Sequence, residues 1–195
     1  YQDLVKYDSQ QPNFDSNFKN DGTAFAKGID IFWRQNGKIK NTDYWVSYSF
    51  LDTKRDFRNY PTAATPNFAS AHNLSIVGKH FIEKLQSQVG FAYNFASGRT
   101  YTNPNEPGFL THKTKNFNSV SLNWAYLIDQ QKILYVSLNN ALGTKNVFGY
   151  NYKNTPNING NFDRQAIVPN ADTFFFVGFF WTISDDKTSN NLNNL

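Results

Sequence analysis

The sequence contains no cysteine and no methionine. Without cysteine there is no disulfide framework and no thiolate metal site, and any compartment remains compatible. No run reaches the ~18 apolar residues of a membrane-spanning helix. Charge is sparse, at 17% of residues, and the net +4 comes from Lys and Arg scattered along the chain. Scattered cations of this kind belong to solvated loops and turns, so no nucleic-acid partner is expected. Methionine is missing at position 1 as well, no signal peptide is present, and Tyr1-Gln2-Asp3-Leu4-Val5-Lys6-Tyr7 reads as the end of a strand. The expectation is a processed or partial piece of a longer protein.

What the sequence does contain is aromatic residues, 17% of 195, in a chain whose mean hydropathy is only −0.59. Asn, Ser, Thr and Gln supply the polar balance. A wall with lipid on one side and water on the other has this composition, because each strand turns half its residues to a wet interior. The clearest case is Ala171 to Ser184, A-D-T-F-F-F-V-G-F-F-W-T-I-S. Its period of two separates Phe175, Val177, Phe179, Trp181 and Ile183 from Phe174, Phe176, Gly178, Phe180 and Thr182. That is longer than the usual ~5–6-residue strand and matches the ~9–11 residues of a tilted strand crossing a bilayer.

The same alternation recurs upstream. After Tyr1–Tyr7 and a polar loop from Asp8 to Thr23, Ala24–Gln35 sets Ile29, Ile31 and Trp33 against Gly28, Asp30, Phe32 and Arg34, with the Asp30 face inward. Tyr44–Asp56 alternates Tyr44, Val46, Tyr48 and Phe50 with Trp45, Ser47, Ser49 and Leu51. His72–Glu83 places Leu74 and Ile76 outward. Leu85–Arg99 sets Val89, Phe91, Tyr93 and Phe95 against Gln86, Gln88, Gly90, Ala92, Asn94 and Ala96. Phe117–Ile128 and Lys132–Leu142 repeat the pattern, with Asn123 and Asn139 on the polar side.

Connections alternate short and long. Tight turns are expected near Gly37, Lys84 and Gln130, and long loops near Phe14, Ala64, Asn105 and Ile158. Up-and-down transmembrane barrels sort their loops this way, with periplasmic turns on one side and extracellular loops on the other. Aromatics near the strand ends, Trp33, Tyr44, Phe81, Tyr126 and Trp181 on one side and Phe95, Tyr101 and Phe117 on the other, predict two interfacial bands. The expected fold is all-β, a transmembrane antiparallel up-and-down β-barrel segment over 1–184 with a polar tail over 185–195.

Several segments carry a family resemblance: A-K-G-I-D-I-F-W at Ala26–Trp33, D-Y-W-V-S-Y-S-F-L-D-T at Asp43–Thr53, H-N-L-S-I-V at His72–Val77, S-L-N-N-A-L-G-T-K-N-V-F-G-Y at Ser137–Tyr150, and the closing Phe174–Ile183. In order and spacing they resemble the C-terminal part of the barrel of TonB-dependent outer-membrane receptors. The resemblance implies about eight strands of a barrel of about 22, filled by the protein's own N-terminal plug. It also implies a lipid bilayer and lipopolysaccharide outside, an inner-membrane TonB complex that energises uptake, and a scarce nutrient such as an iron chelate, cobalamin or an oligosaccharide. A surface lipoprotein capping the mouth is a further partner it admits. Family barrels usually finish on an aromatic residue, whereas here Asp185–Leu195 follows as D-D-K-T-S-N-N-L-N-N-L. On this reading Gly28, Asp30, Ser47, Ser49, Gln88, Asn94, Asn123 and Asn139 face the lumen and the plug. Arg99, Tyr101, Asn103, Tyr150, Tyr152 and Arg164 are the ligand-loop candidates, an aromatic and cationic set able to stack on or pair with an anionic or sugar ligand.

Catalysis is not expected. The histidines, His72, His80 and His112, share no ligand spacing on one face, and a hydrolase built on Ser119 or Ser121 lacks a converging base and orienter. No cofactor or metal is called for. The rivals are a complete eight-stranded barrel with a structural or adhesive role, whose small interior the Gly, Ser and Asn would underfill, and a soluble carbohydrate-binding sandwich.

Overall fold

The computed structural model describes residues 1–7 and 18–183. Eight strands form one antiparallel sheet: β1 (Leu4–Lys6), β2 (Lys19–Asn36), β3 (Thr42–Asp56), β4 (His72–Ile82), β5 (Ser87–Ala96), β8 (Phe117–Asp129), β9 (Lys132–Asn139) and β12 (Phe174–Trp181), in that spatial order. Two short ribbons stand apart from it, β6 (Thr100–Tyr101) with β7 (His112–Lys113), and β10 (Gly149–Tyr152) with β11 (Arg164–Ile167). Sequential neighbours pair, so the topology is up-and-down. Tight links β2–β3, β4–β5 and β8–β9 lie at one edge, and the long segments 57–71, 97–116 and 140–173 lie at the other.

The expected strands are present with shifted limits. β2 begins at Lys19, inside the stretch read as loop, because Lys19 and Gly22 pair with Lys6 and Leu4 of β1. The last strand is shorter than expected, since Phe174 to Trp181 is the length matched by Asn139 to Lys132 of β9. Two of the long loops contain the ribbons, whose short runs are too brief for periodicity to reveal. The loop placed near Phe14 and the tail at 185–195 lie outside the described residues.

Register puts the alternation to use. Ile31, Tyr48, Leu74 and Phe95 form one cross-strand row, and Trp33, Val46, Ile76, Tyr93 and Val120 the next. Lower rows on that face are Tyr44, Gly78, Phe91, Leu122, Leu138 and Phe175, then His80, Val89, Trp124, Val136 and Val177. The opposite face carries Asp30 with Ser49 and Asn73, and Ser47 with Ser75 and Asn94. The described residues form no hydrophobic core under this sheet. Among them the buried apolar ones are Ala64, Pro66 and Ala69, all in a loop, while Ile29 is 63% exposed and Phe175 61%.

The aromatic bands need correcting at three positions. Trp33 with Tyr44, and Trp124 with Tyr126, pack edge-on and stacked on the apolar face near the tight turns, and Lys132 lies 5.8 Å from the Trp181 ring. Phe81, however, pairs with Gln88, and Phe117 with Ala96, which puts both on the polar face. Tyr101 leaves the wall for the β6–β7 ribbon. Parity decides for Phe81 and Phe117, and the path of the loop for Tyr101.

The polar face is not polar throughout. On β12 it presents Phe174, Phe176 and Phe180, all exposed. Gly178 sits opposite Tyr135, whose ring centroid is 6.2 Å from that of Phe176 and 6.4 Å from that of Phe180. A Cβ on Gly178 would meet the Phe176 ring at 2.9 Å and the Phe180 ring at 3.1 Å, so the glycine leaves room for both.

Two asparagines peg the longest loop to the sheet. Asn146, buried, accepts the Asn118 backbone N–H at 3.0 Å and donates to the Asn118 carbonyl at 2.8 Å, extending the ladder with a side chain. Asn140, also buried, donates to the carbonyls of Thr144 and Asp172 and accepts the Thr144 N–H. Asn146→Leu leaves both Asn118 groups without partners and is expected to cost about 2–5 kcal/mol. Hydrogen exchange at Asn118 checks this, and protection equal to that of the unsubstituted protein would refute the peg.

Candidate functional site

At the long-loop edge the two ribbons come together. β10–β11 pairs Tyr150 with Ala166 and Tyr152 with Arg164, and β6–β7 pairs Tyr101 with His112. The Tyr101 ring lies 4.7 Å from that of Tyr150 and 5.6 Å from that of His112. The Arg164 guanidinium stands 4.4 Å from the Tyr150 ring centroid, so its charge is met by a π face. The Tyr152 hydroxyl is enclosed without a hydrogen-bond partner of good geometry. Burial pushes the Tyr152 phenol up, Tyr101 adds to this and Arg164 opposes it.

A side-chain latch joins the ribbons. Asn105 accepts the Phe162 N–H at 2.7 Å and donates to the Phe162 carbonyl at 3.0 Å. The loop over 57–71 is tied in through Thr100, which donates to the Thr65 carbonyl at 2.7 Å, and through Tyr60, whose ring is 4.7 Å from that of Phe109. Arg55 and Arg58 stack on Phe57, with Arg55 also over Phe68. Three loops therefore form one shell, and rigid aromatic anchors within it carry adaptable polar groups.

The structure brings together four of the six ligand-loop residues, Tyr101, Tyr150, Tyr152 and Arg164. Asn103 is used elsewhere: its amide donates to Glu106 at 2.7 Å and its oxygen accepts the Asn105 N–H at 3.1 Å, closing its own turn. Arg99 lies on the loop stem, against a separate cavity. Sequence reasoning missed His112, and it missed Asn105 as a latch. No residue pattern announces a side chain that bonds 57 positions away.

The seven polar wall residues fall on one face of the sheet. Asp30 accepts a hydrogen bond from Ser49, and Asn94 accepts one from Ser75 at 2.9 Å. Ser47 lies beside Ser75, Asn123 between Gly90 and Ser137, Gln88 between Phe81 and Ala125, and Asn139 opposite Phe174. Ser47, Ser49, Asn73, Ser75 and Asn94 line a trough of about 260 Å³ below the loops.

Asp163 gives the β10–β11 ribbon a pH limit. It accepts bonds from Lys153 and Asn157, both at 2.9 Å, and these partners hold its carboxyl below the ordinary carboxylate range. A depressed folded-state pKa contributes stability that is present above the unfolded value near 3.8 and is lost as pH falls through the folded one. Pepsin cleavage within 149–167 is therefore expected to rise below about pH 3.8, and Asp163→Asn to remove that rise. An unchanged pH profile in the variant would refute the assignment.

No family model matches the sequence, and no curated protein matches it. Among solved structures the chain is similar to the ferric-catecholate import receptor Fiu of E. coli K12, in its closed form, with a TM-score of 0.61 and 11% identity over 92% of this chain. The match covers 23% of that receptor, so the chain spans about a quarter of its length. At this identity the likeness is one of fold, a section of β-barrel wall.

Proposed function

We propose that the chain is a wall section of a bacterial outer-membrane receptor that imports a scarce nutrient with energy supplied by an inner-membrane TonB complex. The observation that carries this is the sheet's apolar face, exposed from Ile29 to Trp181 with no described residue covering it. In water such an area far exceeds the patch a soluble protein leaves open, whereas against hydrocarbon and lipopolysaccharide it is covered. The edges support the same reading. β12 pairs only with β9, and beyond Ala24 β2 carries no second partner among the described residues. Bare edges in hydrocarbon cost several kcal/mol per unpaired group, so the wall continues into further strands, which also argues against a closed eight-stranded barrel. Exposed Phe32, Phe174, Phe176 and Phe180 on the polar face support a lumen filled by the receptor's own plug.

In this reading the Tyr101–Tyr150–Arg164 shell meets the nutrient and the Ser/Asn trough lines its passage. No catalytic step is required of the chain, and iron chelate, cobalamin and oligosaccharide remain the nutrient classes. The test is ligand capture: full-length protein purified in detergent from nutrient-limited cells, with co-purifying small molecules identified by mass spectrometry. Recovery of one such compound, with the protein in the outer-membrane fraction, is the expected result. A protein that stays in solution without detergent would overturn the reading.

A further inference from the structure

Beneath the ribbons, where loop stems 97–99 and 114–116 meet the sheet, lies a cavity of about 240 Å³ lined by Ala96, Arg99, Thr114, Lys115, Phe117 and Phe148 among others. The stems are locked together. Thr114 donates its backbone N–H to the Arg99 carbonyl at 2.9 Å, Arg99 donates its own N–H to the Thr114 hydroxyl at 3.0 Å, and Gly98 donates to the Asn116 side chain at 3.0 Å. Arg99 and Lys115, both exposed, are thereby brought to the lining of one cavity. Several other cations are met within the chain, Lys6 by Asp56, Lys153 by Asp163, Arg164 by Tyr150, and Arg55 and Arg58 by Phe57, whereas Lys113 and Lys145 form no ion pair with a described residue. Neither Arg99 nor Lys115 forms an ion pair with a described residue. Paired like charges without a counter-ion favour a bound anion.

The lining also holds two aromatic rings. Phe117 and Phe148 stack with centroids 6.0 Å apart and an interplanar angle of 24°. Ala96 and Phe117 also line the Ser/Asn trough, so the two spaces are neighbours. Its volume lies below the ~300–1,000 Å³ of drug-sized ligand pockets, which suits one ring bearing an acidic group and excludes a whole large chelate.

We infer that this cavity, formed by Arg99, Lys115, Phe117 and Phe148, binds a ring-borne anion, a carboxylate or phosphate carried on a planar apolar body, between the outer shell and the trough. The inference deepens the uptake reading by giving the imported compound an acidic ring, and it rests on that reading only for its place on the route. Two cations can hold the acid by charge-assisted bonds while the rings take the flat body.

The test uses full-length protein in a neutral detergent and three fluorinated probes followed by fluorine NMR: 4-fluorobenzoate, 4-fluorophenyl phosphate and the uncharged 4-fluorobenzyl alcohol. Both acids are expected to bind, and the alcohol at least about tenfold more weakly, as loss of a charge-assisted bond implies. Binding by one acid alone identifies which anion the site takes. Arg99→Gln with Lys115→Gln should weaken the acids by about tenfold or more, Arg99→Lys should retain most of the binding, and Lys38→Gln at the far edge should change nothing. Equal binding of alcohol and acids, or full acid binding in the double variant, overturns the inference. So does the absence of binding by either acid to protein whose β-sheet circular dichroism is intact. Because probe binding needs no energy source, failed uptake with intact probe binding would count against the transport reading and leave this site standing.

Discussion

Gly28→Val is expected to prevent β2 and β3 from closing their ladder, and so to remove the folded protein from the membrane. A Cβ at position 28 would lie 2.1 Å from the Phe50 carbonyl oxygen and 3.2 Å from its carbon. Both are backbone atoms of the adjacent strand, paired on either side by Ile29–Phe50 and Gly28–Leu51. No rotamer change relieves the clash, and separating the strands exposes amide groups to hydrocarbon at several kcal/mol each. The folded fraction, read as trypsin-resistant protein in outer membranes, should fall at least about tenfold, which needs only ~1.4 kcal/mol. Gly78→Ala is the matched control, since its Cβ would meet only the Tyr44 Cβ, at an ordinary 3.7 Å. Equal yields of the two variants would show that the β2–β3 approach is not required.

The second large effect concerns the shell. Replacing Arg164 by Gln and Tyr150 by Ala removes a guanidinium 4.4 Å from a ring and the ring that meets Tyr101. Losing a cation–π contact of about 0.5–2 kcal/mol together with a charge-assisted bond of about 1.5–3 kcal/mol is expected to lower ligand capture by about thirtyfold to a few thousandfold. The amount of co-purified compound per folded receptor measures it. Capture within threefold of the unsubstituted protein would remove the shell from the binding surface.

The wall was legible because a sheet with one apolar and one largely polar flank writes a period of two into its strands. Leu85–Arg99 shows this most simply: Val89, Phe91, Tyr93 and Phe95 do share one face, with Gln88 and Asn94 on the other. Strand ends were less legible. Lys19–Thr23 is polar on both faces, so only pairing with Leu4 and Lys6 makes part of it strand. In the loops, aromatic and cationic residues could be named as candidates, and four of them meet. What separated Arg99 and Asn103 from those four was the path of the ribbons, set by bonds such as Asn105 to Phe162 that join distant loops. Such long-range geometry has no local signature.

The closing strand poses a problem of a different order. Slippage by one residue is normally self-correcting in a barrel, because it turns an entire greasy flank to water. β12 has rings on both flanks, so misalignment there would go almost unpunished by solvent. Fidelity must then come from shape: the notch at Gly178 fits Tyr135, and a shift by one residue would set that ring against Val177 or Phe179 instead. One small residue thus keeps the seam of the sheet from being sewn a stitch out of place.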